Sequence, residues 1–151
     1  TASGVRGINI EDDDEVVGMI TYDPTAEDAA AHSILVVSEN GYGKRSDFDE
    51  YRKTNRGGKG VKTLNITEKT GDLVALKNVT DDNDLMIINR SGLTIRMAVS
   101  GIKVAGRATQ GVRLINIKDG DAIAAVSVVN KSEEEQTEVP AEAQNPEQNN
   151  E

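Results

Sequence analysis

Eleven basic residues in the middle of the chain are of the types that meet polyanions: Lys44, Arg45, Arg52, Lys53, Arg56, Lys59, Lys62, Arg96, Lys103, Arg107 and Arg113. A shift of 51 residues lays Arg45 on Arg96, Arg52 on Lys103, Arg56 on Arg107 and Lys62 on Arg113. Guanidinium and ammonium groups hold phosphate oxygens by charge and by N–H donation, and they displace condensed counterions in doing so. Recurrence at matched positions predicts rows of charge along one edge, a track for a phosphate backbone with little reading of bases.

The densest basic feature is Asn55-Arg56-Gly57-Gly58-Lys59-Gly60. Glycines let a backbone approach a ligand closely, and their amides can hold an anion. The loop is not a Walker A motif, because no Gly-Lys-Ser/Thr stands at the required spacing. Other constellations carry less chemistry. The acidic run Glu11-Asp12-Asp13-Asp14-Glu15 lacks calcium-loop spacing, so it reads as a solvated turn and no metal site is expected. His32 is the sole histidine, and its neighbour Ser33 on a strand would point to the opposite face, so no catalytic pair forms. Tyr22, Tyr42 and Tyr51 read as packing residues. No catalytic residue is expected.

The chain of 151 residues holds 17 Lys and Arg against 26 Asp and Glu, a net charge of −9. That total would oppose a nucleic-acid partner if it were evenly spread. It is not: residues 40–113 hold fourteen bases against eight acids, while the flanking segments are strongly acidic. There is no Cys, which removes disulfides, thiolate metal sites and cysteine nucleophiles and fits a reducing cytoplasm. No apolar run reaches the roughly 20 residues a membrane span needs, so no membrane partner is expected. The first residue is Thr rather than Met, from which we expect a piece of a longer polypeptide.

The elements that must position these bases repeat. Gly4-Val5-Arg6-Gly7-Ile8-Asn9-Ile10 returns as Gly60-Val61-Lys62-Thr63-Leu64-Asn65-Ile66 and as Gly111-Val112-Arg113-Leu114-Ile115-Asn116-Ile117. Between the copies lie short Val-, Ile- and Leu-rich runs separated by turns such as Glu39-Asn40-Gly41 and Arg90-Ser91-Gly92. The pattern predicts an all-β repeat with about four strands per unit, propeller-like, with Leu64 and Ile66 sharing one face and Ile115 and Ile117 another. The expected boundaries are 1–32, closing strands of an upstream blade with a connector; 33–83, a blade; 84–129, the last blade; and 130–151, a disordered acidic tail. The tail's charge suggests competition with a polyanion for the basic edge.

The Gly-rich basic loop leading into Gly-Val-basic-x-aliphatic-Asn-Ile, with Val36-Val37-Ser38-Glu39-Asn40-Gly41-Tyr42-Gly43-Lys44-Arg45 upstream, resembles the C-terminal domain of the DNA gyrase A protein. The resemblance spans Gly4 to Val129. It implies a β-pinwheel, of which this chain would be the last two blades and part of a third, that wraps double-stranded DNA on its basic perimeter. Arg56-Gly57-Gly58-Lys59-Gly60 is similar to the end of the family's Gln-Arg-Arg-Gly-Gly-Arg-Gly box, while Thr54 and Asn55 depart from its start. The resemblance further implies a non-catalytic piece of an ATP-dependent topoisomerase in the bacterial cytoplasm, associated with the nucleoid. The gyrase B protein and a second gyrase A protein would be its partners. ATP and Mg²⁺ would be used by the B protein and the cleavage core, with no cofactor held in this piece. Two alternatives stand beside it: the C-terminal domain of the topoisomerase IV A protein, and a protein-interaction propeller that does not bind DNA.

Overall fold

The computed structural model describes residues 2–131. Seven strands form in chain order: β1 (Ser33–Ser38), β2 (Tyr42–Ser46), β3 (Leu73–Val79), β4 (Asn83–Asn89), β5 (Thr94–Ala98), β6 (Val112–Arg113) and β7 (Ile123–Asn130). They make two antiparallel sheets, ordered β3-β1-β2-β6 and β5-β4-β7. The sheets repeat one another. β1 lies between β2 and β3 as β4 lies between β5 and β7, and the outer pairing bulges at Val37/Ser38 in one and at Ile88/Asn89 in the other.

Side-chain alternation explains how the sheets stack. Leu35, Val37, Ala75 and Val79 from the first sheet meet Leu85, Ile87, Ile123 and Val126 from the second in one buried cluster. The other face of β1, Ile34 and Val36, packs with Leu64, Leu73, Leu76, Phe48, Tyr51 and Ile20. β1 is therefore covered on both sides, which is why Ser-Ile-Leu-Val-Val-Ser has no polar interruption. β4 is covered on one side, and its outward residue Ile88 is exposed.

The first sheet has four strands and the second three. The fourth strand of the first sheet, β6, comes from the following unit: Tyr42 pairs with Arg113 and Gly43 with Val112. Close approach at this seam requires glycine. A Cβ on Gly111, whose φ is +78°, would lie 2.6 Å from the Gly43 carbonyl oxygen, and one on Gly41 at φ +88° would lie 2.6 Å from that of Ile115. The other two copies of the repeated motif form no strand, and neither does Val16 to Ile20. What recurs instead is one backbone hydrogen bond to the next unit. Asn9 N–H donates to Gly58 O at 2.8 Å and Asn65 N–H to Thr109 O at 3.1 Å, and Gly58 and Thr109 are themselves 51 residues apart.

The facial pairing of the repeated motif holds in one copy and fails in the other. Leu64 is buried but Ile66 is half exposed, because only the first reaches the β1 face; Ile115 is buried and Ile117 packs beside it. Of the expected acidic tail, Asn130 ends β7 and Lys131 follows it; the remainder, 132–151, lies outside the described residues.

Candidate nucleic-acid interface

Lys44 and Arg45 do not stand on an exposed track, which corrects the expectation for both. They lie on β2, whose free edge is covered by residues 102–114 of the following unit. Lys44 is 1% exposed, and its Nζ donates to the carbonyls of Gly106 at 2.7 Å, Thr109 at 3.1 Å and Arg107, and to Thr109 Oγ1 at 3.2 Å. Burial holds its ammonium below the usual lysine value, the charge of Arg107 adds to that effect, and Glu50 opposes it. Arg45 Nε donates to Ile102 O at 2.8 Å, and its Nη1 pairs with Asp81 Oδ1 at 2.7 Å. Two of its five N–H donors are so engaged and the residue is 7% exposed, so little of this guanidinium is open to a phosphate.

Arg96, the counterpart of Arg45, is more open but also neutralised: its Nε is 2.8 Å from Asp84 Oδ2, a carboxylate with 8% of its side chain exposed. The matched pair Arg45 and Arg96 thus recurs as arginine–aspartate pairing rather than as a row of free charge.

The remaining bases are presented outward. Arg52, Lys53, Arg56, Lys59 and Lys62 are on the segment between β2 and β3, where the first four are exposed together with Asn55, Gly57, Gly58 and Gly60 of the Gly-rich loop, and Lys62 is exposed beside them. Lys103 is exposed on the segment between β5 and β6, and Arg107 is half-buried. Arg107 joins the two segments: Nε donates to Glu50 O at 3.1 Å and Nη1 to Lys62 O. The matched basic loops of consecutive units therefore lie side by side, with one arginine of the second tied to the backbone of the first.

Arg113 is exposed on β6 beside Tyr42. Its Nη2 donates to the Tyr42 hydroxyl at 3.0 Å and its guanidinium lies 5.4 Å from the ring centre, while Lys69 Nζ lies 5.5 Å from the same centre. Lys69 was not among the expected contacts, since it has no basic counterpart one repeat later; its sequence signal is the Glu-Lys-Thr-Gly turn that closes on Asn40. The Gly-rich loop has an acidic neighbour as well. Lys59 lines a groove of about 900 Å³ with Glu11, Asp13, Asp14 and Glu15. Among the described residues no group of three or more His, Cys, Asp or Glu converges as a metal site, and no helix is long and apolar enough to cross a membrane.

Comparison with known proteins identifies the family and the fold. A family model described as the DNA gyrase C-terminal domain, β-propeller, matches residues 1–23, 32–80 and 83–130. The DNA gyrase A protein of Staphylococcus epidermidis is 46% identical over 134 residues, 89% of this chain and 15% of the relative. Its counterpart in Staphylococcus aureus is 45% identical over 137 residues, 91% of this chain and 15% of the relative. The chain thus spans about 15% of the length of the curated relatives it matches. Among solved structures, a DNA gyrase A C-terminal domain aligns with a TM-score of 0.60 at 26% identity, covering 64% of this chain and 33% of the other. The C-terminal domain of DNA topoisomerase IV shares the fold, with a TM-score of 0.71 at 19% identity over 83% of this chain and 38% of the other. The chain belongs to the family of DNA gyrase C-terminal β-propeller domains.

Proposed function

We propose that this chain binds duplex DNA along the edge carrying Arg52, Lys53, Arg56, Lys59, Lys62, Lys103 and Arg113, as part of a gyrase A protein that wraps DNA to support ATP-dependent negative supercoiling. The observation that carries the reading is the junction at Arg107, which sets two exposed basic loops from consecutive units next to each other. Charges spaced along a curved edge attract phosphates through counterion release and place no demand on base sequence. Contacts with the backbone also offset the cost of bending a duplex along such an edge. Wrapping of fixed hand gives strand passage one preferred sense.

In this reading the bond-breaking chemistry and ATP hydrolysis, with Mg²⁺, belong to other parts of the assembly: the gyrase B protein and the cleavage core formed with a second gyrase A protein, in the bacterial cytoplasm at the nucleoid. The acidic stretch 130–151 would compete for the same edge. Relatives at 45–46% identity carry the gyrase name, which favours gyrase over topoisomerase IV.

The test is a titration of a labelled duplex with this chain at low salt, followed by fluorescence anisotropy. Binding that is indifferent to base sequence and weakens steeply with salt supports the reading. No binding at low salt by a sample with the circular dichroism of a folded sheet would sink it in favour of a protein-binding role.

A further inference from the structure

We infer that Lys44 is a positioning residue: its ammonium is the centre around which the Gly106–Thr109 turn of the following unit folds, and through that turn it fixes Arg107 and Lys103 on the basic edge. The inference rests on the DNA-binding reading for its consequence but not for its geometry.

A buried ammonium costs several kcal/mol unless its protons are all received. Lys44 Nζ has three protons and four acceptors within reach: the carbonyls of Gly106, Arg107 and Thr109 and the Thr109 hydroxyl. Its contacts are all neutral oxygens, and it takes part in none of the ion pairs among the described residues. Three converging carbonyls on one short turn are a conformation that a cation creates, since carbonyl dipoles aimed at a common point repel one another without it. Two neighbours on β2 hold the same segment by its backbone: Arg45 Nε bonds Ile102 O and Ser46 Oγ bonds Ala105 O, each at 2.8 Å.

The contacts continue outward. From Lys44 the turn leads to Arg107, and from Arg107 to the carbonyls of Glu50 and Lys62, which bracket the exposed bases between them. A lysine hidden from solvent therefore sets the spacing between two basic loops that are not. The device is not a property of the repeat, for the residue one period later is Ile95.

The wild-type chain gives the first test, because it needs no variant to fold. Reductive methylation read by peptide mass is expected to label Lys44 at least about tenfold more slowly than Lys53, Lys59 and Lys103, as its burial implies. A short duplex is expected to protect the exposed lysines and leave Lys44 unchanged. If Lys44 is labelled as fast as Lys103 and is protected by DNA, it is a phosphate contact and the inference fails. The second test is Lys44→Met, followed by amide exchange and duplex binding across a salt series. Expected is exchange about tenfold faster for residues 103–109 with β1 and β4 unchanged, and a salt slope reduced by more than the roughly 0.9 that one lost contact would give. Unchanged exchange at 103–109 overturns the inference, as does a general loss of protection with binding and slope intact. Should the wild-type chain bind no duplex, the functional reading fails, while the exchange and methylation results still decide whether Lys44 organises the turn.

Discussion

Arg96 Nε donates to Asp84 Oδ2 at 2.8 Å across β5 and β4, and the carboxylate is nearly buried while the guanidinium is half open. Removing the arginine strands a buried negative charge; removing the charge from the aspartate frees a cation that water can still reach. Arg96→Gln is therefore expected to lower stability by about 1–2 kcal/mol, a buried-pair loss discounted for the exposure of Arg96. Duplex affinity should hardly change, because this guanidinium is already committed. Urea unfolding of the variant and of Asp84→Asn measures the first effect, and Asp84→Asn is expected to be the milder change.

The seam between units depends on the absence of a side chain. Gly111→Ala places a Cβ 2.6 Å from the Gly43 carbonyl oxygen at a φ of +78°, so β6 must move off β2. A loss of about 2–4 kcal/mol is expected from strain and lost pairing together. Gly92→Ala, also at positive φ (+89°) but with open space around it, is expected to cost less. Thermal melts of the two variants side by side check the ranking.

The stack of the two sheets is set by a few aliphatic side chains. Ile87 is fully buried between them, and Ile87→Ala should cost about 2–5 kcal/mol through lost burial and the cavity left behind. Ile88→Ala, one residue on and facing outward, is expected to cost well under half as much. Equilibrium unfolding reads the difference.

His32 is a convenient probe because it is the only histidine. Hydrogen bonds from its ring to Asn78 Oδ1 at 2.8 Å and Asp28 Oδ2 at 3.1 Å raise its pKa above the ordinary 6.5, with the Asn78 contact the larger cause. The folded state therefore binds the proton more tightly than the unfolded chain. Its stabilising contribution is complete below about pH 6.5 and is lost as pH rises through the raised value. NMR titration of the imidazole should show the upward shift, and Asn78→Ala should reduce it.

How much of this was legible in the sequence depended on the range of the interaction. The all-β repeat, its period and the sign of its middle segment follow from local pattern, because turn glycines, aliphatic runs and charge counts need no knowledge of neighbours. The fate of Lys44 and Arg45 did not, because their burial comes from residues 102–114, more than fifty positions away. A clue was present in β1: a strand with no polar interior residue must be covered on both faces, and its hairpin partner, preceded by Gly41 and containing Gly43, is the natural seat for another backbone. Arg56 and Arg107 illustrate the same limit. Sequence equivalence made them a matched pair of phosphate contacts, yet Arg107 directs its donors to Glu50 and Lys62 while Arg56 is exposed.

In the reading proposed for this chain, exposed loop bases, and not the paired arginines of the sheets, hold the duplex. The measurement is the salt dependence of duplex affinity for the wild-type chain, for Arg52, Lys53, Arg56 and Lys59 changed together to Gln, and for the sheet variant Arg96→Gln. The loop variant is expected to lose slope at roughly 0.9 per vanished contact, and the sheet variant to keep the wild-type slope while melting lower. A loop variant that binds with the wild-type slope, or a sheet variant that loses slope while still folded, would contradict that reading.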